Sequence, residues 1–455
     1  MNKFIYGLAL LLFITACSSP EPPQDSKATE NNILPYPIHQ KLLDNDLNVV
    51  VVEYPSPGLA AFQIIMRVGA RDEVEKGKTG FAHFFEHMMF RGTDKYSSDE
   101  YSAVLKSIGA AANANTWVDR TVYHMTGNAL MLDKMFEVEA DRFMNLNYSV
   151  HDFKTEAGAV KGEYTKNHAS PYAMLNEKTV EQVFTKHTYG HTTMGYWDDV
   201  VDMPNQYEYS LEFFDQFYRP EYATILVVGD VKFDDVYKLA NQYFGAWKRG
   251  NFKSDIPVEP EQTETRHAHV EMAGFPPYLE LNYLSPAFND TSMDVAALDV
   301  ISTIIFSERS DLYKKLVIDE GKVRYLRGGY FFTRDPYLYT ISTSVVNEED
   351  MQYVKDEIDK ALEKVKNTPI DELLLSQTKS NLKYSAAMGG DSPSSIAGSL
   401  AFFTWVSGDP ESWNRIYSSY DKVSSEDIMR AAKKYFVPEH LTISTISSQK
   451  EGGIN

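Results

Sequence analysis

The stretch FYRPEYATI at residues 217–225 returns as YFVPEHLTI at residues 435–443. Pro220 and Pro438, Glu221 and Glu439, Thr224 and Thr442, and Ile225 and Ile443 are each 218 positions apart. The same separation pairs VEYPSPGLAAF from Val52 with VEMAGFPPYLE from Val270. Two matches at one offset point to an internal duplication. Each copy opens with a pair of β-branched runs and closes with an amphipathic helix, a proline turn and a strand: ILVVGD after the first, STIS after the second. A chain of 455 residues is also too long for one ordinary core. The expected fold is α+β, with two homologous domains, each a mostly antiparallel sheet packed with helices. Residues 34–246 are assigned to the first domain and 266–450 to the second. The segment WKRGNFKSDIPVEPEQTET, 247–265, reads as an exposed linker.

The chain begins MNKFIYGLALLLFITACSSP. Lys3 is a small basic n-region, and Phe4 to Ile14 is apolar but too short to span a bilayer comfortably. This pattern predicts a signal peptide over residues 1–17. The run ITAC resembles a bacterial lipobox, so Cys17, the chain's one cysteine, is the expected lipidation site. Ser18 agrees with sorting to the outer membrane, facing the periplasm. Residues 18–33, rich in Pro, Ser and acid, read as a flexible tether. A net charge of −20 excludes nucleic acid as a partner, because phosphate binding needs a basic footprint. KGKTG at 76–80 is not a phosphate loop: Gly69 stands too far before Gly77, and Asp72 occupies the required glycine position. No nucleotide is expected.

Residues 81–90, FAHFFEHMMF, place two histidines and a glutamate inside an apolar run that would normally exclude them. On a helix, His83 and His87 stand one turn apart on one face. Neutral imidazoles at that spacing can chelate one zinc ion, and Glu86 beside them can act as a base toward water acidified by the metal. The ordering H-x-x-E-H is the inverzincin signature. Hydrogen-bonded core residues are the ordinary alternative. A catalytic zinc needs a third protein ligand. FKTEAGAVKGEYTKN, 153–167, offers Glu156 and Glu163 seven residues apart, on the same helical face. One could bind metal and the other orient a histidine. Periodicity does not choose between them. His187 and His191 also have helical spacing, but the glycines and threonines around them indicate a structural loop, and AFFTWV at 401–406 reads as core.

GARDEVEKGKTGFAHFFEHMMFRGT resembles the signature region of the pitrilysin/insulinase family of zinc peptidases. The family shares H-x-x-E-H and a glutamate about 75 residues downstream, and Glu163 has 75 residues between it and His87. The resemblance implies metal ligands His83, His87 and Glu163, base Glu86, and an auxiliary catalytic carboxylate, Glu156. NANTWVDRTVY, 113–123, resembles the family's N-A-x-T edge strand, which implies substrate contacts at Asn113, Ala114, Asn115 and Thr116. An extended peptide can add to such a strand. YRPEYATILVVGD resembles the end of the family's first domain, and the layout resembles the half-length branch that contains mitochondrial processing peptidase.

One family feature fails to match. The family grips substrate with an arginine seven residues before a tyrosine in the second domain. Aligning KLVIDEGKVRYL puts Val317 and Arg324 at these positions, and a shift by one gives Ile318 and Tyr325. VAALDVISTIIFSE, 295–308, the second half's counterpart of the metal helix, has no histidine. The expectation is therefore an exported, lipid-anchored zinc endopeptidase with one Zn2+ per chain, acting on peptides or unfolded segments. A homologous subunit is expected to supply the missing arginine and tyrosine, or the chain works as a homodimer with other substrate grips. The competing expectation is a non-catalytic zinc-containing subunit that binds peptide or serves as a scaffold in a periplasmic complex. A structural zinc site would have no need of Glu86.

Overall fold

Asn48–Glu53 reads NVVVVE, and its four valines divide between two cores, Val49 and Val51 on one face and Val50 and Val52 on the other. A strand that is apolar on both faces must lie inside a covered sheet. In the computed structural model, which describes residues 32–450 and 452–454, it does. Cys17, the signal peptide and the tether through residue 31 lie outside the described residues. Ile33, placed at the end of the tether by the sequence, is buried against the second half beside Leu34, whose N–H donates to Asn414 Oδ1 at 3.3 Å.

The first sheet has six strands: β1 (His39–Leu42), β2 (Asn48–Glu53), β3 (Leu59–Met66), β4 (Ala111–Trp117), β5 (Arg120–Asn128) and β6 (Ala223–Gly229), in the order β1-β2-β6-β3-β5-β4. The second has five: β7 (Arg266–Glu271), β8 (Tyr278–Ser285), β9 (Val323–Tyr330), β10 (Tyr337–Val345) and β11 (Leu441–Ser447), in the order β7-β11-β8-β10-β9. Each sheet contains one parallel pair and is otherwise antiparallel. The duplication persists in the hydrogen-bond register. Asn48 pairs with Thr224 in the first sheet, and Arg266 pairs with Thr442 in the second. Both residues of the second pair lie 218 positions after those of the first.

The halves exchange helices. Pro393–Ser407, from the second half, covers the face of the first sheet formed by β3 and β6. Pro171–Val183, from the first half, lies on β7 and β11 of the second sheet, where Thr179 and Ser444 share a hydroxyl hydrogen bond of 2.7 Å. AFFTWV belongs to the Pro393–Ser407 helix and is core, with Trp405 edge-on to Trp117 of the first half.

Polar groups lock the seam. Asp335 of the second half accepts from Arg71 and lies 3.1 Å from His187 Nε2. Asp119 accepts the Tyr189 hydroxyl at 2.6 Å and the Arg334 N–H at 2.8 Å. The segment 247–265 has no helix or strand and is not simply an exposed linker. Its Glu259 accepts the backbone N–H groups of Thr185, Lys186 and His187, each at 2.8 Å, and Gln262 is buried and donates to the Leu441 carbonyl. Among the described residues no helix is long and apolar enough to cross a membrane.

Candidate metal centre

The helix Phe81–Met88 begins at Gly80, whose φ of 91° lies in the left-handed region open to glycine. A Cβ there would also meet the Met194 carbonyl oxygen at 2.9 Å. The first turn is capped from a distance: Glu73 accepts the Gly80 N–H at 2.8 Å and the Ala82 N–H at 2.7 Å, one on each oxygen. A carboxylate at a helix N-terminus is favoured by the orphan N–H groups and by the macrodipole. Glu73 is fully buried, and burial pushes its carboxyl up to about 8, with Asp72 and Asp199 adding to the effect. Phe81, Phe84 and Phe85 fill the core, which turns His83 and His87 to the opposite face. Their rings stand edge to face, with centroids 4.7 Å apart.

The second element is Val150–His168, started by a capping box in which Ser149 and Asp152 satisfy each other's N–H groups. It crosses the first helix and brings Glu163 Oε2 to 3.7 Å from His83 Nε2 and 3.4 Å from His87 Nε2. His83, His87 and Glu163 each offer one ligand atom, and these atoms lie within 4.8 Å of one another. Ligand atoms around one tetrahedral ion with bonds near 2.0–2.1 Å are separated by about 3.4 Å. The two histidine–carboxylate distances are close to that spacing.

Glu156, two turns earlier, has a different place. It is 3% exposed and lies behind His87: Oε1 is 3.0 Å from His87 Nδ1, and Oε2 accepts from Arg91. It does not line the groove, so any part it plays in catalysis acts through His87 and Arg91. The hydrogen bond to Glu156 holds the His87 imidazole above its ordinary value. Burial opposes ionisation of Glu156, but hydrogen bonds from His87 and Arg91 outweigh it and keep the carboxyl below the usual range. His83 is pushed down by burial and by the neighbouring His87, and its Nδ1 is buried with no hydrogen-bond partner among the described residues.

His83 and Glu163 edge a cleft of about 600 Å3 that Glu86, Asn115 and Thr116 also line. Glu86 Oε2 accepts the Thr116 hydroxyl at 2.6 Å. β4 is an edge strand, paired on one side with β5. Of the four residues expected to meet substrate, Asn115 and Thr116 line the cleft. Asn113 and Ala114 do not; the Asn113 side chain accepts the Ala114 N–H at 2.9 Å. Arg324 and Tyr325 lie on β9, the edge of the second sheet, where Tyr325 packs under Arg327, and neither lines the cleft. Val317 and Ile318 fall in a π-helical turn, Lys314–Asp319. His187 and His191 flank a buried 3-10 turn and, among the described residues, belong to no cluster that could hold a metal. One residue escaped sequence reading, Glu73. Glu73 sits in the charged run RDEVEK, which reads as a solvated surface until the helix start is seen to close over it.

With this geometry in hand, the comparisons are specific. Residues 48–196 match the profile described as Insulinase (Peptidase family M16), and residues 206–382 match the one described as Peptidase M16 inactive domain. The chain is similar to "Zinc protease PqqE" of Helicobacter pylori, 27% identical over 409 residues, covering 88% of this chain and 90% of that protein. A solved protease from Helicobacter pylori superposes with a TM-score of 0.84 at 27% identity, covering 90% of this chain and 99% of the other. The first half of the periplasmic protease PqqL from Escherichia coli shares the fold, with a TM-score of 0.73 at 16% identity, 95% of this chain and 94% of that one. The chain belongs to the insulinase family of peptidases, family M16.

Proposed function

We propose that the chain is a zinc-dependent endopeptidase. One observation carries this reading: ligand atoms of His83 and His87 on one helix and Glu163 on another lie within 4.8 Å of one another, beside the cleft that His83, Glu163 and Glu86 line. The donor set suits the metal, since two neutral imidazoles and one carboxylate leave a fourth position for water or substrate. The relatives named zinc proteases point the same way. His83, His87 and Glu163 would hold the ion. When bound, zinc polarises a carbonyl and acidifies water.

The chain's own groups do the rest. An extended peptide adds to the open side of β4, whose backbone supplies hydrogen bonds without regard to sequence. Glu86 takes a proton from the attacking water and returns it to the leaving amine. Thr116, through its hydroxyl, fixes the rotamer of Glu86. Glu156 holds His87 with Nδ1 as donor, which leaves Nε2 free as a ligand.

The chain acts in the periplasm, exported and anchored at Cys17; the ITAC run and the periplasmic Escherichia coli neighbour support this. A homologous subunit, or a second copy of this chain with other contacts, completes the substrate grip, since Arg324 and Tyr325 stand outside the cleft. The test is Glu86→Gln, with metal content and peptide cleavage measured on the purified chain, alone and with copurifying subunits. Zinc is expected to stay and hydrolysis to vanish. Unchanged cleavage refutes the role of Glu86. A parent protein that binds zinc but cuts nothing under any condition supports the peptide-binding scaffold instead.

A further inference from the structure

Asn115 and Thr116 are neighbours on β4, and both line the cleft. Side chains alternate along a strand, so the two leave on opposite faces. Thr116 turns to Glu86. Asn115 turns to Arg120. The turn Val118–Asp119 joins β4 to β5 and sets Trp117 opposite Arg120. Arg120 Nη1 donates to the Asn115 carbonyl at 2.6 Å and also to Asn115 Oδ1.

These bonds decide which end of the amide is free. A guanidinium donates and accepts nothing, so only the oxygen of an amide can face it. Oδ1 is therefore committed. Nδ2, with two hydrogens to donate, has no partner among the described residues, and Asn115 is exposed. Without Arg120, the amide could turn either end outward.

Arg120 does little else. Its side-chain hydrogen bonds among the described residues all go to Asn115. It is partly buried, its Nε is buried without a partner, and it forms no ion pair among the described residues. Burial outweighs the attraction of Glu86 and Asp119 and pushes the guanidinium down to about 10, so it is a cation at neutral pH. An apolar side chain would fill this space at lower cost. Arg120 does not itself line the cleft, so its route to substrate runs through Asn115.

We infer that Arg120 is a positioning residue that makes Asn115 a hydrogen-bond donor toward substrate, so that the cleft selects a peptide side chain bearing an acceptor, a carboxylate or a carboxamide, where the peptide passes Asn115. A lysine at that position brings only donors and meets only donors. An apolar side chain leaves Nδ2 desolvated and unpaired. The inference rests on the reading that peptide adds to the open side of β4.

The test separates this claim from cleavage. Zinc-loaded Glu86→Gln protein is titrated with unstructured decapeptides in which one glutamine is scanned through every position, each with a twin carrying leucine, of similar size and without an acceptor. At one position the glutamine peptide is expected to bind roughly fivefold more tightly than its twin. Asn115→Ala and Arg120→Met, each added to that protein, are expected to bring the ratio toward one and to change the leucine peptide's affinity less than twofold. Arg120→Met on top of Asn115→Ala is expected to change the ratio no further, because the two act as one unit. Arg120→Lys, which keeps a donor, should retain more of the ratio than Arg120→Met. Asn115 is exposed, so Asn115→Ala decides the donor's role even where Arg120→Met does not fold. Four results would overturn the inference: a ratio near one at all positions, a ratio that survives Asn115→Ala, equal loss for both twins, or additive losses in the double variant. Failure of the parent protein to cleave these peptides, with the ratio intact, leaves the selection standing and refutes the hydrolytic reading alone.

Discussion

Glu156→Gln keeps the side chain's shape and removes its charge. Glu156 is 3% exposed, accepts from His87 Nδ1 at 3.0 Å, and holds the Arg91 guanidinium on its other oxygen. A hydrogen bond to a charged group contributes about 1.5–3 kcal/mol. Since 1.4 kcal/mol is about a factor of ten, that corresponds to one to two orders of magnitude in affinity. Outer carboxylates on metal-binding histidines are independently worth about 10–100-fold. The variant is therefore expected to bind zinc about 10–100-fold more weakly. The Arg91 side chain is 43% exposed and can hydrate when its partner loses charge, so the metal-free fold should change by less than about 1 kcal/mol. Competition against a chromophoric chelator measures the affinity, and thermal unfolding of the metal-free protein is the control. At saturating zinc, cleavage should recover to within a few-fold of the parent, because Glu156 does not line the cleft. Zinc affinity within twofold of the parent would refute the orienting role. So would lost cleavage at saturating zinc with the affinity intact.

Thr116→Val removes the hydroxyl on Glu86 and should lower kcat/KM about tenfold without altering zinc content; an unchanged rate means that the 2.6 Å bond does not help position the base. Asp335→Asn removes the charge that faces buried His187 and half-buried Arg71 across the seam and should cost about 2–4 kcal/mol at neutral pH, read as a lower urea midpoint. Burial opposes the charge on Asp335, but His187 and Arg71 overcome it and hold the carboxyl well below the usual range. A lowered carboxyl stabilises the fold fully above its unfolded pKa, about 3.9, and that stabilisation fades as the pH falls below it. The gap between parent and variant should accordingly narrow below about pH 4; a constant gap would exclude Asp335 ionisation as the source.

The duplication and the metal helix could be read directly, because each is a local pattern with a fixed spacing. The 218-residue offset reappears as the strand register of both sheets. The third candidate ligand could not be chosen from spacing. Glu156 and Glu163 share a helical face, and what separates them is height along the crossing helix: one meets His87 Nδ1 and the other comes near Nε2 of both histidines. Periodicity gives direction around a helix but not depth against a neighbour. The same limit hid Glu73 and the anchoring of 247–265, whose partners are distant in sequence. Thr116 was legible as part of an edge strand, but its bond to Glu86 was not, since it depends on how the strand sits over the helix.

The crossed helices also decide how the molecule can move. Each half wears a piece of the other, so prising them apart would strip an apolar sheet face on both sides at once. Such an arrangement behaves as a clasp rather than a hinge. Severing the chain near residue 255 should leave two fragments that hold together, and neither would be a self-sufficient domain.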